Sequence, residues 1–464
     1  IMAQEQGYQV DKKEFEKMME KQQKQSGKKV TDQLDHFELD ESIQTEFSGY
    51  QELETVSEIR ALIHENKLQK IVPAGQTCWI IVRKSPYFIV GGGQVPDEGW
   101  IIIGSHKTKI SQLRYINGRI AAEIKAPVDI KQGDTITCIV DKEWRDNAMK
   151  NHTGTHLLQA ALMQILGKQI KQSGSLVHPD YLRFDFTYHE NVTLEDIKKI
   201  EDLVNEKIRQ NIPIRIEYTT MSDAVKQGAL AFFGDKYNPE KVRMVDINGF
   251  SVELCGGTHV PATGMIGAFK IIEVTALSAG HRRIVALTGP RAIELFQQTY
   301  NTIKTLSQEF KVKREEVLDT VLKQKEQINA LQQEVKALKK LVWHAQLPIW
   351  EQQIKTIKDL PFLLVVLDQF ENEQLREIAN TLAQKQPGFY FVISSHDNRS
   401  IFLGHLSAQF ITYLNLKNFA SWLKEKHSLQ SGISNNTIQG GGGKFDPNLG
   451  EQMKEWLIKH VGKE

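Results

Sequence analysis

Between Pro290 and Pro348 the chain has no glycine or proline, and apolar residues return at heptad a and d positions: Ile293, Phe296, Tyr300, Ile303, Phe310, Val317, Val321, Ile328, Leu331, Val335, Leu338 and Val342. Only Ser307, Arg314 and Gln324 interrupt the repeat. An unbroken run of this length reads as helix, and the seven-residue repeat gives that helix one apolar seam. The break near EFKVKREEV predicts two helices folded back as a hairpin, with one long coiled-coil helix as the alternative. The seam itself reads as a spacer or dimerisation arm. Nine Lys and Arg face six Asp and Glu across residues 301–345, enough for a modest phosphate-facing surface.

This segment, 291–347, separates unlike regions, as expected for a chain of 464 residues that is too long for one core. Residues 8–30 are polar, basic and helix-prone, so 1–35 reads as the end of a preceding unit. From 36 to 145 short β-type runs (CWIIV, YFIV, WIIIG, TITCIVD) alternate with Gly, Pro and Asp turns, which predicts a small β-barrel. Residues 146–290 mix a helix over 152–166, strands in YLRFDFTY and MVDI, and a helix over 193–210, an α+β domain. Residues 348–464 alternate strand and helix and carry GGGGK at 440–444, read as a glycine-rich loop ahead of a closing helix from about 450. The fold class is therefore α+β and multidomain.

No stretch approaches the roughly 20 apolar residues of a membrane span, and no signal segment opens the chain, so a cytoplasmic protein is expected. The chain begins at Ile1 rather than Met, which suggests a piece of something longer. Three cysteines, Cys78, Cys138 and Cys255, are too few to suggest a disulfide framework. A net charge of +1 does not by itself argue for a nucleic-acid partner.

The chemistry concentrates in two short stretches. In NHTGTHLL, at 151–158, His152 and His156 are four apart, and on a helix they share a face. Alone, such a pair is more often surface or core histidines than a site. There is no glutamate after the first histidine, which excludes the HExxH metalloprotease pattern. In CGGTH, Cys255 and His259 flank two glycines that favour a turn in which thiolate and imidazole converge. Three histidines and one cysteine suit one Zn²⁺ per chain. Four protein ligands would complete a tetrahedron, so either a ligand detaches or the ion only positions substrate, and the residues leave both open.

With these residues named, the chain resembles the editing domain shared by alanyl-tRNA synthetases and the free-standing AlaX deacylases, in which paired HxxxH and CxxxH motifs bind zinc. TEFSGY (45–50), GGGQVPDEG (91–99), QSGSLV (172–177), RFDF (183–186) and SAGHRRIVALTG (278–289) look like that family in the same order. GYQVDKKEFEKMMEKQ (7–22) is similar to the segment closing the aminoacylation half, and GGGGKFDP (440–447) to the C-terminal tRNA-binding domain. Two stretches depart: SPYFIVGGGQ has Val90 and Gly91 where a small polar pair is usual, and the glycine motif continues as FDPNLG.

The resemblance implies an editing function: hydrolysis of the ester in Ser-tRNA(Ala) and Gly-tRNA(Ala), with zinc on His152, His156, Cys255 and His259. Thr155, between the histidines, is the candidate for recognising a seryl hydroxyl. Gln172 and Ser175 are second candidates, with Gly93 and Gln94 behind them. Nothing resembles the ATP-binding motifs of the synthetase core, so joining alanine to tRNA(Ala) is expected of a separate N-terminal half. The expected partners are tRNA(Ala) and a second copy through the C-terminal region. The alternatives are a free-standing deacylase and a non-catalytic zinc-containing tRNA-binding module. A phosphoesterase of the DHH group fails for want of an aspartate-rich triad.

Overall fold

The computed structural model describes residues 37–230, 238–397 and 399–462. The segment over 1–35 and its expected helix lie outside them. The chain forms two compact units that divide after Thr302.

The first unit opens with a barrel of β1 (Glu54–His64), β2 (Lys67–Gln69), β3 (Thr77–Val82), β4 (Gly99–Ile103), β5 (His106–Ile116), β6 (Arg119–Lys125) and β7 (Thr135–Val140). The order β7-β4-β5-β6-β3-β1 is closed by antiparallel pairing of β7 with β1, and β2 hangs on the edge of β1. Closure removes free edges from the six main strands. Alternate residues fill the interior, as in β7, where Ile136, Cys138 and Val140 point inward. YFIV, over 87–90, is extended but forms no strand. The buried Asp97 carboxylate accepts the Phe88 N–H at 2.7 Å, a bond that a neighbouring strand would otherwise supply.

Helix α1 (Lys142–Leu166) follows directly and is capped by Asp141, whose side chain accepts from Trp144 N. NHTGTHLL therefore lies well inside a long helix rather than at the start of one. The polar turns before it, EWRDNAMK, are helix-compatible and bury Arg145 beneath the barrel. Arg145 joins α1 to the barrel: its Nε donates to Asp97 Oδ1 at 2.9 Å and its Nη2 to the Pro86 carbonyl at 3.0 Å.

The α+β part places α1 and α2 (Leu194–Arg209) on a four-stranded antiparallel sheet. Its strands are β8 (Gln172–Val177), β9 (Leu182–Thr187), β13 (Phe269–Ser278) and β14 (His281–Thr288), ordered β8-β9-β14-β13. Between them in sequence come β10 (Arg215–Thr219), the short helix α3 (Met221–Lys226), β11 (Val242–Asp246) and β12 (Val252–Leu254); these three strands make a separate small sheet.

The Pro290–Pro348 segment is two helices, α4 (Gly289–Phe310) and α5 (Val317–Gln352), not one. Lys311 adopts a left-handed conformation at φ 53° and Arg314–Glu316 forms a 3-10 turn, which stops the first helix. Helix α5 runs through Pro348 rather than ending before it, because Trp343, Leu347 and Trp350 bury its last turns.

The second unit carries a six-stranded sheet ordered β15-β16-β17-β18-β20-β19. These are β15 (Lys355–Ile357), β16 (Leu360–Asp368), β17 (Phe389–His396), β18 (Arg399–Leu406), β19 (Leu429–Ser434) and β20 (Thr437–Gly442), and only β16–β17 is parallel. Along β17, Phe389, Phe391 and Ile393 face one core, while Tyr390 and Val392 face another. Helices α7 (Leu416–His427) and α8 (Leu449–His460) line the first core; α6 (Asn372–Lys385) and the end of α5 line the second. The expected glycine-rich loop is mostly strand: Gly440, Gly441 and Gly442 pair with both β18 and β19. A Cβ on Gly440 would lie 1.9 Å from the Gln430 carbonyl oxygen, so the close approach of the backbones requires glycine there.

Candidate metal centre

Four ligand-type side chains meet in the first unit. His152 and His156 project from adjacent turns of α1, and Cys255 and His259 come from the loop after β12. One ligating atom from each lies within 4.8 Å of all the others, and all four residues are buried. His152 Nε2 is 3.3 Å and His259 Nε2 3.4 Å from Cys255 Sγ. Gly257 makes this approach possible, since a Cβ there would sit 1.9 Å from His152 Cε1.

Each imidazole has a different partner on its outer nitrogen. His152 Nδ1 meets Gln94 Oε1 at 2.8 Å, and His259 Nδ1 meets Thr153 Oγ at 3.2 Å. His156 Nδ1 lies 3.6 Å from the Glu253 carboxylate, and Glu253 in turn accepts from Ser251 Oγ at 2.8 Å. Such outer contacts fix which ring nitrogen faces inward. Gln94 reaches in from the barrel loop 91–95, which is tied to β8 by Val95 N–Val177 O and Val177 N–Gly93 O hydrogen bonds. Gln94 Oε1 also accepts from Thr258 N at 3.0 Å, so one amide links the barrel, α1 and the cysteine loop.

Burial depresses the imidazoles, bringing His156 down to about 3 and holding His152 and His259 well below the ordinary range. Neighbouring histidines and Arg243 add to this for His152 and His259, and Arg243 alone adds to it for His156. Burial pushes the Cys255 thiol up to about 12 and Glu253 up to about 7. Without a cation, then, three neutral rings and a thiol crowd together, with His156 Nδ1 lacking a hydrogen bond among the described residues. A soft-to-borderline divalent ion would convert that crowding into four bonds, so these residues could hold a metal.

The other expected residues surround this centre unevenly. Thr155 is buried between the histidines, and its hydroxyl donates to the Asn151 carbonyl at 2.8 Å. Ser175, on β8, lies against Gly93 and has a buried hydroxyl with no hydrogen-bond partner among the described residues. Gln172 begins the same strand, partly buried. Gly92 packs over the centre: a Cβ there would be 3.0 Å from His152 Cε1 and 3.2 Å from Cys255 Sγ. Thr153 and Glu253 were not singled out from the sequence, although each adjoins or nearly adjoins a ligand. Cys78 and Cys138 belong to the barrel core, where burial pushes their thiols up to about 11 and about 12.

Two family patterns match the chain: "tRNA synthetases class II (A)" over residues 1–144, and "Threonyl and Alanyl tRNA synthetase second additional domain" over residues 242–285, which contain Cys255 and His259. The alanine–tRNA ligase of Thermotoga sp. (strain RQ2) is 33% identical over 451 residues, 95% of this chain and 51% of that protein. The chain belongs to the alanyl-tRNA synthetase family. The Carboxydothermus hydrogenoformans ligase is 35% identical over 387 residues, covering 81% of this chain and 44% of the relative. The Synechocystis ligase is 33% identical over 465 residues, with 97% and 51% covered. The chain thus spans about half the length of the curated relatives it matches. Among solved structures, the C-Ala domain of Aquifex aeolicus alanyl-tRNA synthetase aligns with 23% of this chain and 97% of that one, at 23% identity and a TM-score of 0.22. Among the described residues, no helix is long and apolar enough to cross a membrane.

Proposed function

We propose that this part of an alanyl-tRNA synthetase is the editing deacylase, which hydrolyses the ester of Ser-tRNA(Ala) and Gly-tRNA(Ala). The observation that carries the reading is the buried cluster of His152, His156, Cys255 and His259, half of which lies in a segment matched by the second additional domain. A separate hydrolytic site has a physical reason. A pocket built for alanine cannot exclude the smaller glycine, and it rejects an added hydroxyl only weakly.

The four residues would hold Zn²⁺, whose positive charge would anchor the charged tRNA end and stabilise negative charge at the ester. Gln94, fully engaged by His152 and Thr258, is a positioning residue on this reading. The free hydroxyl of Ser175 and the lone pairs of Thr155 are the groups assigned to meet a seryl hydroxyl, with Gln172 as a further polar contact. The C-terminal unit would bind the body of tRNA(Ala) through phosphate and shape contacts. The exposed stripe on α5 would pair with a second copy, giving a homodimer.

One feature favours a second reading. Four protein donors satisfy a tetrahedron, as in a structural zinc site within a non-catalytic tRNA-binding module. Release of serine from Ser-tRNA(Ala) by the wild type and by Cys255→Ala, with metal content measured alongside, separates the two. The deacylase reading expects rapid release by the wild type alone; release no faster than in buffer from either protein sinks it.

A further inference from the structure

The rim of the cysteine loop carries aromatic and cationic side chains that the metal cluster does not use. The Tyr50 hydroxyl donates to the Gly256 carbonyl at 2.6 Å, which seats the ring on the loop between Cys255 and Gly257. Arg243 lies over that ring with its guanidinium carbon 4.2 Å from the centroid, and Phe47 meets it edge-on at 4.9 Å. Arg243 is itself fixed, since Nη1 donates to the Cys255 carbonyl at 2.7 Å and to the Gly257 carbonyl at 3.0 Å. Directly across the β10–β11 pair from Arg243 stands Tyr218, with Lys241 5.4 Å from its ring. Burial raises the Tyr50 hydroxyl, Arg243 opposes the rise, and Tyr218 lies close enough to add to it. Despite these contacts, Tyr50 is 41% and Tyr218 55% exposed.

Two half-exposed rings, each beside a cation, one bonded to the metal loop and the other paired across the strands with the arginine anchored to that loop, are suited to stacking on flat apolar faces that carry negative charge at their edges. Unpaired nucleotides have that chemistry: bases stack on aromatic rings while phosphates meet Lys and Arg. We propose that Tyr50 and Tyr218, flanked by Arg243 and Lys241, form a stacking platform for the unpaired 3′ bases of the tRNA acceptor strand. The inference rests on the deacylase reading, because the ester sits on the terminal ribose. When its carbonyl is at the metal centre, the terminal bases must lie beside the loop that Tyr50 contacts and that Arg243, the strand neighbour of Tyr218, anchors. Arg243, anchored to the two carbonyls flanking Gly256, then serves both sites, stiffening the metal loop and supporting the ring that holds the base.

The test uses the full zinc-loaded chain and an acceptor-stem RNA with an unpaired 3′ tail carrying 2-aminopurine at its end, against the same stem made blunt. Bound tail RNA should show quenched 2-aminopurine fluorescence and bind more tightly than the blunt stem. Tyr50→Leu and Tyr218→Leu should each weaken tail binding by about 5- to 100-fold, while blunt-stem affinity and metal content stay at wild-type levels. Tyr50→Phe, which keeps the ring, should retain the quenching. Absence of quenching in the bound complex, or wild-type tail affinity in both Leu variants, overturns the platform. Tyr218 lies on an exposed strand away from the loop, so Tyr218→Leu decides the matter if Tyr50→Leu fails to fold. Stacking without ester hydrolysis would sink the deacylase reading alone, and hydrolysis without stacking would sink only the platform.

Discussion

Helices α1 and α5 are the long helices that sequence patterning speaks to most directly, and burial inverts their patterns. Along α1, Asn151 through Gln159 are all buried, although six of these nine residues are polar. Along α5 the heptad seam is clear, yet Ile328, Leu331, Val335, Leu338 and Val342 are exposed. Burial on α1 is bought with specific hydrogen bonds and a ligand cluster, so removing one group leaves others unsatisfied. The seam on α5 is apolar surface awaiting a cover, so a single change there costs the folded chain little. Periodicity reports what a helix can bury; polar residues at unusual density report where something besides apolar contact does the burying.

The largest effect expected is at the ligands. Cys255→Ala or His156→Ala should reduce bound zinc from about one equivalent to near zero and abolish serine release, as read by metal analysis and deacylation. Wild-type metal content in both would break the contrast with α5. Next comes Glu253→Gln, which removes the charge facing His156 while keeping its shape. Zinc affinity, measured by chelator competition, should fall about 10- to 100-fold, while melting of the metal-free protein stays unchanged or rises because a buried carboxylate is gone. Gly257→Ala drives a methyl into His152; we expect it to cost about 1–3 kcal/mol in chemical denaturation and to weaken zinc binding together with it. The smallest intramolecular effect belongs to α5. Leu331→Glu with Leu338→Glu should change the stability of the folded chain by less than about 1 kcal/mol, yet, on the proposal that a second copy covers the seam, lower the sedimenting mass to that of a monomer. An unchanged sedimentation profile would remove the second copy as the cover for the seam.

A proton-linked difference sharpens the same comparison away from the metal. Asp185 is held below the ordinary carboxylate range, chiefly by hydrogen bonds from Arg283 at 2.7 and 2.9 Å. Because its folded value is depressed, the pair stabilises the sheet above the unfolded carboxylate's value and loses that contribution as pH falls through the lower folded one. Asp185→Asn should therefore flatten the acid limb of the stability curve, measured by thermal melts across that window, and a limb as steep as wild type would contradict it.

The barrel and the α/β alternation of the C-terminal unit were legible from their periods, and the cluster of three histidines and a cysteine from residue type and spacing. Three features were not. The start of α1 was hidden because its first turns are polar, and only the Asp141 cap marks them. GGGGK looked like a loop because glycine is the usual sign of a turn, whereas here it lets strand backbones close. Glu253 and Thr153 escaped notice because orienting a ligand requires only a position in space, which neither residue type nor spacing announces.

The side chain of Gln94 has a consequence for how the first unit would respond to an ion at the cluster. Its single amide carries hydrogen bonds from α1 and from the cysteine loop back to the barrel, so metal occupancy and barrel order share one free energy. By mass action, an ion bound only to the assembled site should slow hydrogen exchange in loop 91–95 as well as at its ligands. Chelation would then be felt in the barrel loop too, at residues outside the four that would hold the ion.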